Sequence, residues 1–232
     1  MIRKNAWNVL ALMLVMVCAF SFNTARASVA LGATRVIYPA DAKQVSIGVS
    51  NNDDKSTYLI QSWIENERGE KGNQFVITPP LFLIKGKKEN TLRIIDSTNN
   101  SLAKDKETLF WLNVKAIPSA DENTKDKNVL QFAIISRIKL IYRPAGLAMA
   151  PEKASSALTF TRSGSTVTVS NPTPYYITTT NVTVGKKAVK SFMVQPGGSI
   201  EVRSPAAEGN AVSYQTINDF GALTTPVHVA IN

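Results

Sequence analysis

The sequence predicts an all-β protein, and three observations support that fold class. First, apolar and polar residues alternate with a period of two in many short runs, as in strands that bury one face. Second, turn-forming residues separate these runs, as in Asn51-Asn-Asp-Asp54 and Pro196-Gly-Gly198. Third, no segment after residue 27 keeps the apolar stripe of an amphipathic helix. Strands of this length and spacing favour antiparallel β-sandwiches.

The N-terminus has the pattern of an export signal. Arg3 and Lys4 precede an apolar run over residues 9–20, and Ala25-Arg-Ala27 follows with small residues at its ends. A basic start, an apolar centre of about a dozen residues and a small-residue exit are typical of a cleaved secretory signal peptide. The apolar run is shorter than the ~20 residues of a membrane span. We therefore predict a signal peptide over residues 1–27, rather than an anchor helix, and no stable membrane insertion.

Composition limits what the exported part of the chain can be. The single cysteine, Cys18, lies inside the predicted signal peptide, so no disulfide can brace the mature chain. The full sequence has 26 basic and 17 acidic residues and a formal net charge of +9; the predicted signal peptide holds three of the cations and no acid, so the mature chain carries +6, which suits an anionic partner or chemical group. The cations are scattered and have no aromatic residues between them, a pattern that argues against nucleic acid as a partner.

The predicted strands fall into two sets, separated by a segment rich in small residues and proline. The first set is Val45–Val49, Tyr58–Ile64, Leu92–Ile95, Leu109–Val114 and Leu130–Ile141, and the second set is Leu158–Arg162, Thr166–Ser170, Tyr175–Val184, Val189–Val194 and Ala211–Ile217. Between them lies Arg143-Pro-Ala-Gly-Leu-Ala-Met-Ala-Pro151. We predict one immunoglobulin-like sandwich over residues 28–146 and a second over residues 147–232.

The longest predicted strand, Leu130–Ile141, has an apolar face. The residues of that face, five of the six apolar, are Leu130, Phe132, Ile134, Ser136, Ile138 and Leu140. Twelve extended residues span ~40 Å, about twice the length of an ordinary strand. Two interpretations fit: a long core strand that leads into the second domain, or a strand that a partner pairs with by β-augmentation.

Two cations lie within apolar runs. Arg35 interrupts Val29–Tyr38, and Lys139 stands between Ile138 and Leu140. A buried cation is costly unless it is paired, so both cations can bind one carboxylate if the first strand and the long strand are neighbours. From the residues alone, two unrelated surface charges are the simpler interpretation.

Seven stretches together resemble the periplasmic chaperones of chaperone–usher pilus assembly, in particular the type 1 fimbrial kind with a short loop before the long strand. Each stretch alone is a weak signal, but their joint presence in this order over nearly all of the mature chain is a strong one. The stretches are Gly32-Ala-Thr-Arg-Val-Ile-Tyr38, Pro79-Pro-Leu-Phe82, Asn90-Thr-Leu-Arg-Ile94, Leu109-Phe-Trp-Leu-Asn-Val-Lys-Ala-Ile-Pro118, Ile138-Lys-Leu-Ile-Tyr-Arg-Pro144, Asn171-Pro-Thr-Pro-Tyr-Tyr176 and Ile217-Asn-Asp-Phe-Gly-Ala222.

The resemblance implies a fold, a function and partners. The fold is two immunoglobulin-like β-sandwich domains at an angle, with an interdomain cleft. The function is that of a periplasmic chaperone that binds pilus subunits by donor-strand complementation. It prevents their aggregation and delivers them to an outer-membrane usher, without a nucleotide, a metal or another cofactor. A subunit of this kind lacks the last strand of its own sandwich, and the chaperone supplies one.

The resemblance also implies roles for eight residues. Arg35 and Lys139 anchor the C-terminal carboxylate of the subunit, and Leu130, Phe132 and Ile134 fill the subunit groove. Glu107, Arg143 and Asp219 form an ionic trio between the domains.

No enzyme site is predicted. The single histidine, His228, and the absence of a mature cysteine exclude His–Cys metal spacings and triads with an internal histidine, and no phosphate-binding loop is present. We expect His228 to be an ordinary strand residue. The alternative function is a structural pilus subunit or adhesin of immunoglobulin-like fold. A third hypothesis is a carbohydrate-binding module, but we expect most of its candidate aromatic residues in the core; they are Trp63, Trp111, Tyr175 and Tyr176.

Overall fold

The computed structural model describes residues 28–119, 130–204 and 209–231. The predicted signal peptide and most of the predicted short loop before Leu130 therefore lie outside the described residues. Four β-sheets make up the described chain, two formed by strands between residues 29 and 143 and two by strands between residues 159 and 230. The prediction of an all-β protein with two sandwiches is confirmed. Within the described ranges, no helix is long and apolar enough to cross a membrane.

The first sandwich contains nine strands within the described residues. Their bounds are β1 (Val29–Leu31), β2 (Arg35–Pro39), β3 (Val45–Asn51), β4 (Tyr58–Asn66), β5 (Phe75–Thr78), β6 (Leu81–Ile84), β7 (Glu89–Asp96), β8 (Thr108–Pro118) and β9 (Ile134–Arg143). One sheet has the order β1-β3-β7-β5, and the other has the order β2-β9-β8-β4-β6. Neighbouring strands are antiparallel except β2 and β9, which run parallel. The peptide bond between Thr78 and Pro79 is cis.

Alternate residues of the two sheets meet in one apolar core. Leu92 in one sheet and Leu112 and Leu140 in the other are fully buried there, and burying each such side chain contributes ~1.5–3 kcal/mol. The buried phenol of Tyr38 is satisfied on both sides. It donates to the carbonyl oxygen of Ala42 at 3.1 Å and accepts from the backbone N–H of Asp96 at 3.0 Å.

The apolar run Val29–Tyr38 forms two strands that belong to different sheets. β1 pairs with β3, whereas β2 pairs with β9. Between them the chain crosses from one sheet to the other, and the N–H of Gly32 donates to the carbonyl oxygen of Gly48 at 2.9 Å. Because of this crossing, β2 begins only at Arg35.

The predicted strand over Leu130–Ile141 is wrong at both ends. The observed strand, β9, begins at Ile134 and continues to Arg143. Its antiparallel neighbour β8 pairs with it no further than Ala116 opposite Ile134. No strand of the described chain lies beside residues 130–133, so no neighbour supplies the ladder hydrogen bonds that a strand requires.

The second sandwich contains eight strands within the described residues. Their bounds are β10 (Thr159–Ser163), β11 (Thr166–Ser170), β12 (Ile177–Val184), β13 (Lys187–Val189), β14 (Met193–Val194), β15 (Ser199–Arg203), β16 (Ala211–Thr216) and β17 (Val227–Ala230). One sheet is β10-β11-β15; the other is β13-β12-β16-β17, with β14 also paired to β12. A single helical turn, α1 (Pro151–Ala154), precedes them. His228 lies in β17 as an exposed strand residue, as predicted.

A buried asparagine shapes the segment between β11 and β12. Asn171 is fully buried, and its Nδ2 donates to the carbonyl oxygens of Tyr175 at 2.7 Å and Val194 at 3.1 Å. These bonds fold the Asn171–Tyr176 segment against the sandwich. The segment is important for the site because it carries the backbone groups that meet the first domain.

Candidate functional site

Arg35 and Lys139 lie side by side at the domain junction. The parallel register of β2 and β9 makes them direct partners, and the residue after each of them is buried in the core. Side chains alternate along a strand, so both cations lie on the opposite face of the sheet. There Nη1 of Arg35 donates to the carbonyl oxygen of Ile217 at 2.9 Å, and Nζ of Lys139 donates to Oγ1 of Thr178 at 2.6 Å. Both acceptors belong to the second sandwich.

This pair of cations has no carboxylate partner within the described ranges. Burial lowers the pKa of Lys139 to about 8, and the charge of Arg35 contributes to the shift. Burial also lowers the pKa of Arg35, although the charges of Asp219 and Glu107 offset part of that effect. The Nε of Arg35 is buried without a hydrogen-bond partner. A carboxylate between the two side chains would restore both pKa values and satisfy this donor, so the site is suited to bind one.

The segment that leads into β9 exposes apolar side chains. Leu130 is 77% exposed, Phe132 70% and Ile134 65%. In addition, no strand of the described chain pairs with this edge of β9 over residues 134–138, because β2 begins only opposite Lys139. The open edge ends where the two cations begin. An exposed apolar segment with unpaired backbone groups is the kind of surface that proteins cover by pairing with another strand.

The predicted ionic trio joins the two domains. Nε of Arg143 lies 2.7 Å from Oε1 of Glu107, and its Nη1 and Nη2 lie 2.6 and 2.8 Å from the carboxylate of Asp219. Glu107 and Arg143 belong to the first sandwich, whereas Asp219 lies in the connection between β16 and β17. The guanidinium is therefore clamped between the domains. The ring of Tyr175 also lies against it, with 5.1 Å between the ring centroid and the guanidinium carbon.

Glu107 makes further contacts across the junction. Its Oε2 accepts the backbone N–H of Tyr176 at 2.7 Å, and its own N–H donates to the carbonyl oxygen of Pro174 at 2.9 Å. Burial raises the pKa of the Glu107 carboxyl, while the charge of Arg143 and the Tyr176 N–H lower it. Burial alone would lower the pKa of Arg143, but the hydrogen bonds to Asp219 and the charge of Glu107 raise it overall. Arg143 is therefore held in its charged form.

Trp63 and Trp111 lie on the same outward face of the five-stranded sheet, and the prediction that most of the four candidate aromatic residues lie in the core is wrong. Trp63 and Trp111 are only half-buried. The guanidinium of Arg137 lies 4.7 Å from the centroid of Trp111, and the ammonium of Lys71 lies 5.2 Å from that of Trp63. Arg137 also pairs with Glu65 at 3.2 Å. Because cations cover the rings, they do not present open faces for a sugar. Of the other two aromatic residues, Tyr175 is buried and Tyr176 is half-buried.

The structure thus brings together the residues that the sequence selected. Arg35 and Lys139 are neighbours, the exposed apolar segment leads to them, and the ionic trio lies at the same junction. Two groups that hold the cations were not predicted from the sequence, the carbonyl of Ile217 and the hydroxyl of Thr178. A backbone carbonyl leaves no signal in a sequence, and Thr178 stands in an ordinary run of threonines.

The fold and this site together define a two-domain β-sandwich protein with an exposed apolar segment that has no neighbouring strand in the described chain and leads to two adjacent cations. Two family models match the chain. Residues 28–148 match "Pili and flagellar-assembly chaperone, PapD N-terminal domain", and residues 153–227 match "Pili assembly chaperone PapD, C-terminal domain". The chain therefore belongs to the PapD family of pilus-assembly chaperones.

Individual relatives agree with this assignment. The chaperone protein FimC of Escherichia coli O6:H1 (strain CFT073) is 58% identical over 200 residues, which cover 86% of this chain and 83% of FimC. The chaperone protein FocC of Escherichia coli is 56% identical over 222 residues, covering 95% and 96%. These relatives are chaperones rather than enzymes, and the match favours that class over a structural pilus subunit or adhesin.

Solved structures are similar over most of the chain. The crystal structure of the periplasmic chaperone SfaE has 54% sequence identity and a TM-score of 0.78, covering 88% of this chain and 100% of SfaE. A chain from the complex of the Salmonella enterica SafA pilin with the SafB chaperone has 32% identity and a TM-score of 0.79, covering 90% and 98%. The two-domain chaperone fold is thus shared with both.

Proposed function

We propose that this chain is a periplasmic chaperone that captures pilus subunits by donor-strand complementation and delivers them to the outer-membrane usher. One observation carries the proposal: an exposed apolar segment with open edges leads to two neighbouring cations, the buried Arg35 and the half-buried Lys139, that lack a carboxylate partner within the described chain. In this mechanism Leu130, Phe132 and Ile134 enter the groove of a subunit that lacks its last strand. Arg35 and Lys139 bind its terminal carboxylate.

The apolar contacts are sufficient for a stable complex. Each of the three side chains contributes ~1.5–3 kcal/mol when a groove removes it from water. The backbone of residues 130–133 has no neighbouring strand in the described chain, so hydrogen bonds to the subunit add to this gain without breaking existing ones. Ordering of the segment and loss of free motion subtract from the total. The exposure of these residues in the free chain therefore favours capture over self-burial.

The direction of the bound strand follows from β2. On the open edge of β9, a subunit strand that continues the line of β2 also runs parallel to β9. Its C-terminal end then arrives at Arg35 and Lys139. A charge-assisted hydrogen bond from each cation contributes ~1.5–3 kcal/mol. The carboxylate also sets the register, because a slip of one residue turns the apolar side chains out of the groove.

Binding of this kind explains how the chaperone protects subunits from aggregation without catalysing a reaction. An open groove and an unpaired edge make a free subunit prone to aggregate, and the chaperone strand covers both. We infer that the chain has no catalytic activity. It also needs no nucleotide for release, since another strand can replace the chaperone strand at the usher. The ionic trio keeps the domains oriented while the cleft is occupied.

Export and domain limits are part of the same proposal. We place signal-peptide cleavage after Ala27 and the two domains at residues 28–146 and 147–232. The basic, apolar and small-residue order of the N-terminus supports the cleavage site.

Arg35→Ala and Lys139→Ala test the carboxylate anchor. A pilus subunit from the same gene cluster is co-produced with each variant, and the complex is quantified by size-exclusion chromatography. We expect more than a tenfold loss of complex, because each variant removes a charge-assisted bond, worth ~1.5–3 kcal/mol. Lys85→Ala, in an exposed turn, is the matched control and should retain full capture. Normal capture by Arg35→Ala would refute the anchor, provided that its thermal midpoint matches that of the wild type.

A further inference from the structure

Phe220 is the most exposed large apolar side chain in the described part of the chain, at 94% exposure, and nearby Leu223 is 53% exposed. Both lie in the connection between β16 and β17, on the second sandwich. A single exposed apolar residue needs no explanation. This connection, however, is rigid and lies beside the carboxylate anchor, so the exposed pair is suited to bind a partner.

The connection is rigid around Phe220. Oδ1 of Asn218 accepts the backbone N–H of Phe220 at 3.1 Å and that of Ala222 at 2.9 Å. The neighbouring Asp219 is held by two nitrogens of Arg143, at 2.6 and 2.8 Å. These bonds hold the backbone on both sides of Phe220, and its ring stays exposed in the free chain. Its backbone also has little conformational freedom left to lose when a partner binds.

The connection also contacts the carboxylate anchor. Gly221 has a φ of +83° and packs directly against the side chain of Thr34, the residue before Arg35. At the start of the connection, the carbonyl oxygen of Ile217 accepts from Arg35 at 2.9 Å. The connection that carries Phe220 therefore lies beside the place where the two cations would bind the subunit carboxylate.

We propose that Phe220 and Leu223 form a docking surface for the last residues of the bound subunit, next to its terminal carboxylate. This inference rests on the proposed function. A strand that continues the line of β2 directs alternate side chains to the same face as Arg35, toward the second sandwich. An apolar side chain there packs on the Phe220 ring. The second domain thereby selects subunits whose C-terminal residues are apolar.

Synthetic peptides with alternating apolar residues and a free carboxylate test this surface. One peptide ends in leucines, a second ends in serines at the same positions, and a third is the leucine peptide with a C-terminal amide. Their affinities for the full mature chain are measured by fluorescence anisotropy. The variants are Phe220→Ala, the conservative Phe220→Tyr, and Val76→Ala as a matched exposed apolar control in the other sheet of the first sandwich.

We expect Phe220→Ala to weaken the leucine peptide about 5- to 10-fold, because part of the burial of the ring is lost. The serine peptide should change less than twofold. Phe220→Tyr and Val76→Ala should bind like the wild type, and all three variants should keep its thermal midpoint.

Two results separate the inference from the function beneath it. An equal effect of Phe220→Ala on the leucine and serine peptides, or no effect on either while Arg35→Ala abolishes binding, overturns the docking surface alone. If the wild type binds the amide as well as the free carboxylate, or binds no peptide, the anchor and the docking surface are both wrong.

Discussion

Arg143→Ala is predicted to destabilise the protein more than any other single change at the domain junction. The substitution removes three charged contacts at once, the 2.7 Å bond to Glu107 and the two bonds to Asp219. The two carboxylates differ in exposure, since the side chain of Glu107 is 1% exposed and that of Asp219 is 36% exposed. Without Arg143, Glu107 is a buried charge with a single N–H donor, that of Tyr176.

The magnitude follows from this difference in exposure. Removal of one partner from a buried ion pair costs ~3–5 kcal/mol. The Asp219 half is partly screened by water, and the Tyr176 N–H remains, so we expect a loss of about 3 kcal/mol in the free energy of unfolding. For a chain of this size, that loss lowers the thermal midpoint by about 6–12 °C.

The effect also depends on pH with a definite sign. Burial raises the pKa of Glu107 above 4.5 in the folded wild type, and loss of Arg143 raises it further. A carboxyl with a raised folded pKa binds its proton more readily in the folded state, so its contribution to stability falls as pH rises above the unfolded value. The deficit of Arg143→Ala should therefore be smaller at pH 5 than at pH 8.

Urea and thermal unfolding at the two pH values measure these quantities. Arg93→Ala, an exposed arginine on β7, is the control and should change stability by less than ~0.5 kcal/mol. The double variant Glu107→Gln with Arg143→Ala should recover part of the loss, because a neutral amide replaces the unpaired charge. The reasoning is refuted if Arg143→Ala costs less than ~1 kcal/mol, or if the double variant is less stable than the single one.

Two further predictions concern capture. Because the pKa of Lys139 is about 8, subunit affinity should be constant below pH 7 and fall up to tenfold per unit above pH 8, as the ammonium that binds the carboxylate loses its proton; Lys139→Arg should remove this dependence, and an unchanged profile contradicts the assignment. Phe132→Asp should reduce capture strongly, while circular dichroism and the thermal midpoint stay as in the wild type, because the side chain is 70% exposed. A misfolded variant would instead place Phe132 in the chaperone core.

Alternation along the chain predicted most of the fold because each sandwich buries one face of every sheet. Val45–Val49 and Thr166–Ser170 are strands as their pattern requires. The pattern failed where pairing rather than burial decides the structure. Leu130–Ala133 alternate as well as any strand, but the described chain has no strand beside them. Alternation indicates which side chains form an apolar face, but it does not indicate whether a neighbouring strand is present to pair with that segment.

Part of the site could also be predicted from the local sequence pattern. A cation within an apolar run is conspicuous, so Arg35 and Lys139 stood out, although only the structure establishes that they are adjacent. Nothing in the sequence indicated that Trp63 and Trp111 lie outside the core, because aromatic residues in strands usually face a core. Here cations from Lys71 and Arg137 cover their rings on the outward face. Pairings of this kind depend on tertiary contacts that no local pattern records.

The crossing of the chain between β1 and β2 limits the length of the subunit strand that β9 can pair with. Since β2 starts opposite Lys139, the edge of β9 that β2 leaves open in the described chain always ends at residue 138. The five positions from Ile134 to Ile138 give a slot of about 16 Å at ~3.3 Å per residue. Under the proposed function, the register of every subunit is therefore set from its C-terminal carboxylate. Subunits of unrelated sequence can bind the same site if their C-terminal strands fit its length.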